Sequence, residues 1–239
     1  MTAPYTVPPP MMPPPRARRT GRRIMILVIV LLAILGLLLG LDRAAAAITA
    51  DRIAAKLQTE GFPAEPNVTV EGFPFLTQVI RHHLDGVKVT APRFPVGAVT
   101  ASIDVHATDI TLDSGYQSGT IAQVNGTGLI TFASLAKLPG LAAVPGLKIS
   151  SDGPHMVKLS ANLAILAATA IARVKLASPH EIALRLVSAS GVPAALLDPI
   201  RHLAVQIPAL PLGLTVQSVA VGPQGVVIRV SGSNASFGR

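Results

Sequence analysis

Apolar residues follow three regimes along this chain. Residues 24–41, "IMILVIVLLAILGLLLGL", are apolar throughout. Eighteen uncharged residues rise about 27 Å as a helix, enough to cross a bilayer core. Residues 50–59 carry helical spacing. Ile53 and Leu57 lie four apart, Thr49 is placed to N-cap and Gly61 to terminate. Beyond them the period falls to two, and "NVTVEG", "GVKVTAP" and "VTASIDVHAT" alternate as strands. In the last, Val99, Ala101, Ile103, Val105 and Ala107 face one way, and Thr100, Ser102, Asp104, His106 and Thr108 the other. The phase then slips by one, since Ile110 and Leu112 are apolar, which predicts a bulge near Asp109.

Alternation returns in "LKISSD", "MVKLSANLAIL", "TAIARVKLAS" and "EIALRLVSAS". "LTVQSVAV" and "VVIRVSG" flank Gly222-Pro-Gln-Gly225 and predict a hairpin. "TFASLAKL" (131–138) and "VPAALLDPIRHLA" (192–204) are helix candidates, and residues 233–239 read as a loose tail. The sum is a β-rich α+β domain with eight to ten antiparallel strands and two or three helices. Strands this long favour a long, curved sheet, and its apolar face must wrap around a helix, another sheet or a ligand.

One stretch breaks the pattern. In "EGFPFLTQVIRHHLDG" (71–86), Gly72 and Pro74 belong in no strand interior, so the chain turns there. The turn carries Phe73, Phe75 and Leu76, then His82 and His83. Neighbouring His side chains diverge in an extended segment and cannot chelate one ion together, and metal sites need convergent ligands.

Residues 4–15 hold seven Pro, and Arg16, Arg18, Arg19, Arg22 and Arg23 follow. Residues 1–23 are therefore expected to be a disordered Pro/Arg-rich tail, with 24–41 a transmembrane anchor. Arg before the span places the N-terminus in the cytoplasm and the domain outside. Ala44-x-Ala46 supports the alternative, a secreted protein released by signal cleavage, although the apolar run exceeds a usual signal core. The tail also explains the charge. Residues 1–47 carry six Arg against one Asp, and residues 48–239 carry fourteen Lys and Arg against eleven acids. Of the net +8, only +3 belongs to the domain, so no nucleic-acid partner is expected.

Chemistry is sparse. No Cys is present, which excludes thiolate nucleophiles and disulfides. Neither a G-x-S-x-G elbow, an H-E-x-x-H pair, a Walker A loop nor a G-x-G-x-x-G loop occurs, so no cofactor, metal or catalytic residue is assigned. Asp104 and Asp109 are the nearest approach to a glycosidase-like acid pair, and nothing singles them out. What remains is apolar surface beside a membrane segment, which suits a hydrophobic ligand.

"VTVEGFPFLTQVIRHHLDGVKVTAPRF" and "QIPALPLGLTVQSVAVGPQGVVIRVSG" (206–232) resemble the two signature regions of the lipomannan elongation factor (LmeA)-like family of exported phospholipid-binding proteins. The resemblance covers roughly residues 47–232 and implies a tubular lipid-binding-like fold, a long curved sheet wrapped around a helix with a tapered apolar groove. It also implies a phospholipid or lipoglycan partner, anionic and phosphatidylinositol-like, and a role in lipomannan or envelope lipid assembly. On that reading acyl chains lie against Val99, Ile103, Val105, Leu159 and Leu163, and Phe73, Phe75 and Leu76 form an apolar lip. Arg81, Lys88 and Arg93 are the candidates to meet a phosphate. The rival to this non-enzymatic lipid carrier is a structural module that recruits an envelope protein through a sheet edge or an exposed patch.

Overall fold

The structure, a computed structural model, describes residues 19–59, 66–96, 98–163, 166–192, 204–207 and 210–238. Inter-residue contacts divide the chain at the Leu41–Asp42 bond into two units. The first is apolar helix. Helix α1 (Arg19–Thr59) is long and apolar enough to cross a membrane, and its side chains from Met25 to Leu41 are exposed. The separate helix expected over 50–59 is the end of this same helix, because "RAAAA" (43–47) is a run of strong helix formers with no breaker. Thr49 consequently does not cap. Its hydroxyl donates back to the Ala45 carbonyl at 2.9 Å. The helix also begins at Arg19, inside the segment expected to be a tail.

The second unit is strand-rich α+β. Strands β1 (Asn67–Glu71), β2 (His83–Val96), β3 (Val99–Leu112), β4 (Gly119–Thr131), β10 (Thr215–Val221) and β11 (Gly225–Phe237) form a curled antiparallel sheet in the order β1-β2-β3-β4-β11-β10. A second antiparallel sheet holds β5 (Lys148–Ser151), β6 (Met156–Leu163), β7 (Leu166–Ser178), β8 (Glu181–Ser190) and β9 (Ala204–Gln206), in sequence order. Two short helices, α2 (Phe75–Ile80) and α3 (Phe132–Leu135), turn the chain between strands. The hairpin expected around Gly222–Gly225 is present as β10–β11. The predicted tail is not loose: β11 continues to Phe237 because Ser233, Ala235, Ser236 and Phe237 pair with β4. The helix candidate over 192–204 lies almost wholly outside the described residues, and its last residue, Ala204, is strand.

Two covers share the inner face of the first sheet. Ala46 and Ala50 of α1 pack on Val70, Phe75, Leu84, Val87, Ile110, Ile121 and Val124. The second sheet supplies Val157, Leu159, Ala170, Ala172, Val174, Ile182 and Leu184, which pack on Val99, Ala101, Ile130, Val226 and Ile228.

The phase slip at Asp109 is real, but no residue is inserted there. Register is unchanged on both sides, since Gly86 pairs with Thr108 and Leu84 with Ile110. The slip runs across four strands. Val87 and Leu84, Ala107 and Ile110, and Val124 and Ile121 all reach the same apolar cluster across an odd spacing. The residues at the crossing are Asp85, Asp109, Ala122 and Asn234, none of which forms a ladder pair with its neighbour. Asp109 and Asn234 take left-handed backbone, with φ of 53° and 51°. Asp and Asn tolerate that region better than other non-Gly residues. Replacing Asp109 with Val should cost roughly 1–2 kcal/mol in chemical denaturation, whereas Asp109→Gly should not, because a β-branched residue is strained where φ is positive.

Candidate functional site

The "EGFPF" turn is built from outside itself. The Phe73–Pro74 peptide is cis, and α2 starts at Phe75 with no side-chain cap from Pro74. The first amides of a helix have no intrahelical acceptor. Asp42 supplies it: its carboxylate accepts from the Phe75 N–H at 3.0 Å and from the Leu76 N–H at 2.8 Å. Arg43 pairs with the same carboxylate at 2.9 Å, donates to the Gly72 carbonyl at 3.1 Å, and holds its guanidinium 5.0 Å from the Phe73 ring centre. Burial acts to raise the Asp42 pKa, but the Leu76 and Phe75 amides and Arg43 outweigh it, and the net shift is downward.

Buried Gln78 closes the other side. Its Nε2 donates to the Glu71 carbonyl at 3.3 Å, and its Oε1 accepts from the Asp85 N–H at 2.9 Å. Gly72, with φ of 88°, sits directly against Asp85 and Gln78, so no side chain fits there. Neither Asp42, Arg43 nor Gln78 was visible as part of this turn from sequence. The one available signal was that Asp42 and Arg43 are the first charges after the apolar run.

The His pair is structural. His82 stacks on Tyr116, ring centres 4.6 Å apart, and its Nδ1 lies 3.0 Å from the Asp113 carbonyl, which fixes it as the donor. His83 points elsewhere, its Nε2 3.8 Å from Asp109. Asp113 in turn holds the β3–β4 loop by accepting from the Ser118 hydroxyl and from the Gln117 and Ser118 amides. The Ser118 hydroxyl bond leads the lowering of the Asp113 pKa.

The remaining candidates fall in different places. Phe73 and Leu76 are exposed, at 58% and 42%, while Phe75 is buried in the helix-covered cluster. Val99 and Leu159 are buried in the sheet-covered cluster, and Val105 packs at the edge of the other. Leu163 ends β6. Lys88 is paired with Asp104 at 3.1 Å on the outer face, beside Glu71–His106 at 2.8 Å. Arg81 and Arg93 are exposed, and neither guanidinium has a partner among the described residues. Arg93 and Pro92 form a bulge in β2, where two residues oppose Ser102.

Ile103 is different. It is half-buried and belongs to neither cluster. Its cross-strand partners are Ala91 on β2 and Gly128 on β4, which also belong to neither. A methyl group added at Gly128 would meet only Ile228 Cβ, at 4.0 Å, among the described residues. At Gly126, one pair along, it would meet Val230 at 2.7 Å and Val105 at 3.2 Å. Ala91 is itself buried and Ile103 and Gly128 are half-buried, so among the described residues the free space in this row is at Gly128.

An apolar inner face with free space at Gly128 among the described residues suits a hydrophobic ligand. The chain belongs to the LmeA-like phospholipid-binding family, whose model matches residues 40–231. That family is a lipid-binding one rather than a family of enzymes. No curated protein and no solved structure gives a match.

The Asp42 clamp predicts a pH effect. Because its pKa is lowered by folding, its contribution is complete above the unfolded value, about 3.9, and is lost as pH falls through the lower folded value. Hydrogen exchange at the Phe75 and Leu76 amides should accelerate over that acid range. In Asp42→Ala it should already be fast at neutral pH, and Asp42→Asn, which keeps one acceptor oxygen, should flatten the pH dependence.

Proposed function

We propose that this domain binds or transfers phospholipid without catalysis, laying acyl chains on the inner face of the first sheet along the Ala91–Ile103–Gly128 row. The observation that carries this reading is the open space at Gly128 between two filled apolar clusters. Family membership supplies the ligand class. Ile103 and Val105 are the acyl contacts best supported by their positions. Val99 and Leu159 shape the wall from within the core.

The headgroup is anionic and phosphatidylinositol-like on this reading, because Arg81 and Arg93 offer exposed guanidinium groups with no partner among the described residues. Lys88 contributes only by leaving Asp104. Residues 24–41 are a retained single-pass anchor, with the N-terminus in the cytoplasm and the domain on the outer face of the cytoplasmic membrane. Five Arg before the span support this orientation. Retention is supported by Asp42 and Arg43, which cleavage after Ala46 would remove from the turn they hold. The protein then serves envelope lipoglycan assembly by supplying or moving lipid.

Gly128→Leu is the direct test. Its side chain occupies the open space, so stability in denaturant should change little. Excluding about two methylenes at ~0.8 kcal/mol each should weaken lipid binding about tenfold. Native mass spectrometry of the full chain, together with lipid uptake from vesicles, reads the effect. No co-purifying lipid in the parent chain, or unchanged uptake by Gly128→Leu, would sink the proposal.

A further inference from the structure

Outside the apolar span, the large apolar side chains exposed among the described residues are Ile48, Phe73, Leu76, Ile80, Tyr116 and Val187. Val187 lies on β8 of the second sheet. Four of the other five, Phe73, Leu76, Ile80 and Tyr116, are linked to one another. Leu76 and Ile80 are four apart on α2 and share a face. Phe73 enters that helix and lies under Arg43. Tyr116 stacks on His82, two residues past Ile80. Ile48 is on α1, one and a half turns after Asp42. Chance placement is a poor account of Phe73 in particular, since Phe75, Phe94, Phe132 and Phe237 are all buried or half-buried.

Asp42 ties this group to a known place in the chain. It follows Leu41, the last residue of the apolar span, by one peptide bond, and its carboxylate holds the Phe75 and Leu76 amides. Consecutive Cα atoms are about 3.8 Å apart, so the residue that holds the start of α2 follows the apolar span by one such step. A residue one step past a span lies in the headgroup layer, where Trp and Tyr accumulate. Arg43 and Arg81 are exposed beside the apolar groups and suit lipid phosphates.

We infer that Phe73, Leu76, Ile80 and Tyr116 form a docking surface that inserts into the interfacial layer of the same bilayer the span crosses. The inference rests on the retained-anchor reading, and it does not require the Gly128 site.

The chain has no Trp, so one introduced indole reports alone. Full-length Phe73→Trp, Ile80→Trp and Val187→Trp would be reconstituted in vesicles of phosphatidylcholine and phosphatidylglycerol brominated near the headgroup, and Leu31→Trp in the same lipids brominated at mid-chain. Leu31→Trp, inside the span, and Val187→Trp serve as references. Docking predicts blue-shifted, quenched emission for Trp at 73 and 80, as for 31, and unquenched emission at 187. Quenching at 31 with none at 73 and 80 overturns docking and leaves the anchor standing. Loss of quenching at 31 overturns the anchor and docking together. Quenching at 73 that vanishes when Gly128→Leu is added reports bound lipid instead of the bilayer, and also overturns docking. Persistence of that quenching in the Gly128→Leu background supports it.

Discussion

A strand of fourteen residues is longer than anything available to cover it with one element. β3 extends about 46 Å at roughly 3.3 Å per residue. The α1 residues in the helix-covered cluster, Ala45 to Ile53, rise only about 12 Å, and even with buried Ala54 the helix covers a fraction of β3. The apolar inner face therefore needs two covers, the helix at one end and the second sheet at the other. Where they stop, the sheet carries Ala91 and Gly128 on either side of Ile103, so the seam has little side chain of its own to fill it.

The Asp42 contact organises the opposite end. A carboxylate that accepts two amides from a distant turn fixes that turn to α1, and Arg43 completes the join at Gly72 and Phe73. Gly72, Gln78 and Asp85 then set how β1 passes into β2. The result is a turn whose buried member, Phe75, belongs to the core, and whose exposed members, Phe73 and Leu76, do not. Adjacent residues of one motif thus play opposite parts, decided by which side of the short helix each occupies.

Much of the fold could be read from residue order, and the gaps have physical causes. Alternation marked β1, β2, β3, β6, β7, β8 and the β10–β11 hairpin, because one face of each is buried. β4 escaped notice because Gly119, Gly126 and Gly128 interrupt its alternation, and one of those glycines lines the candidate site. The slip at Asp109 was visible within one strand. That it crosses four strands in register was not, since the register of partners is not written locally. The turn at Gly72–Pro74 was legible from its breakers, whereas its clamp, thirty-odd residues earlier, was not. Of the proposed acyl contacts, Ile103 and its neighbours Val99 and Val105 share one face of β3 in sequence, yet only tertiary packing separates a filled position from an open one.

The most direct test of the account is photo-crosslinking of the delipidated full chain with one equivalent of a phospholipid bearing a mid-chain diazirine. The account predicts label on peptides containing Ala91, Ile103 and Ile228, the residues around Gly128. Label confined to residues 24–41 and 73–80, with none on β2, β3 or β11, would contradict it.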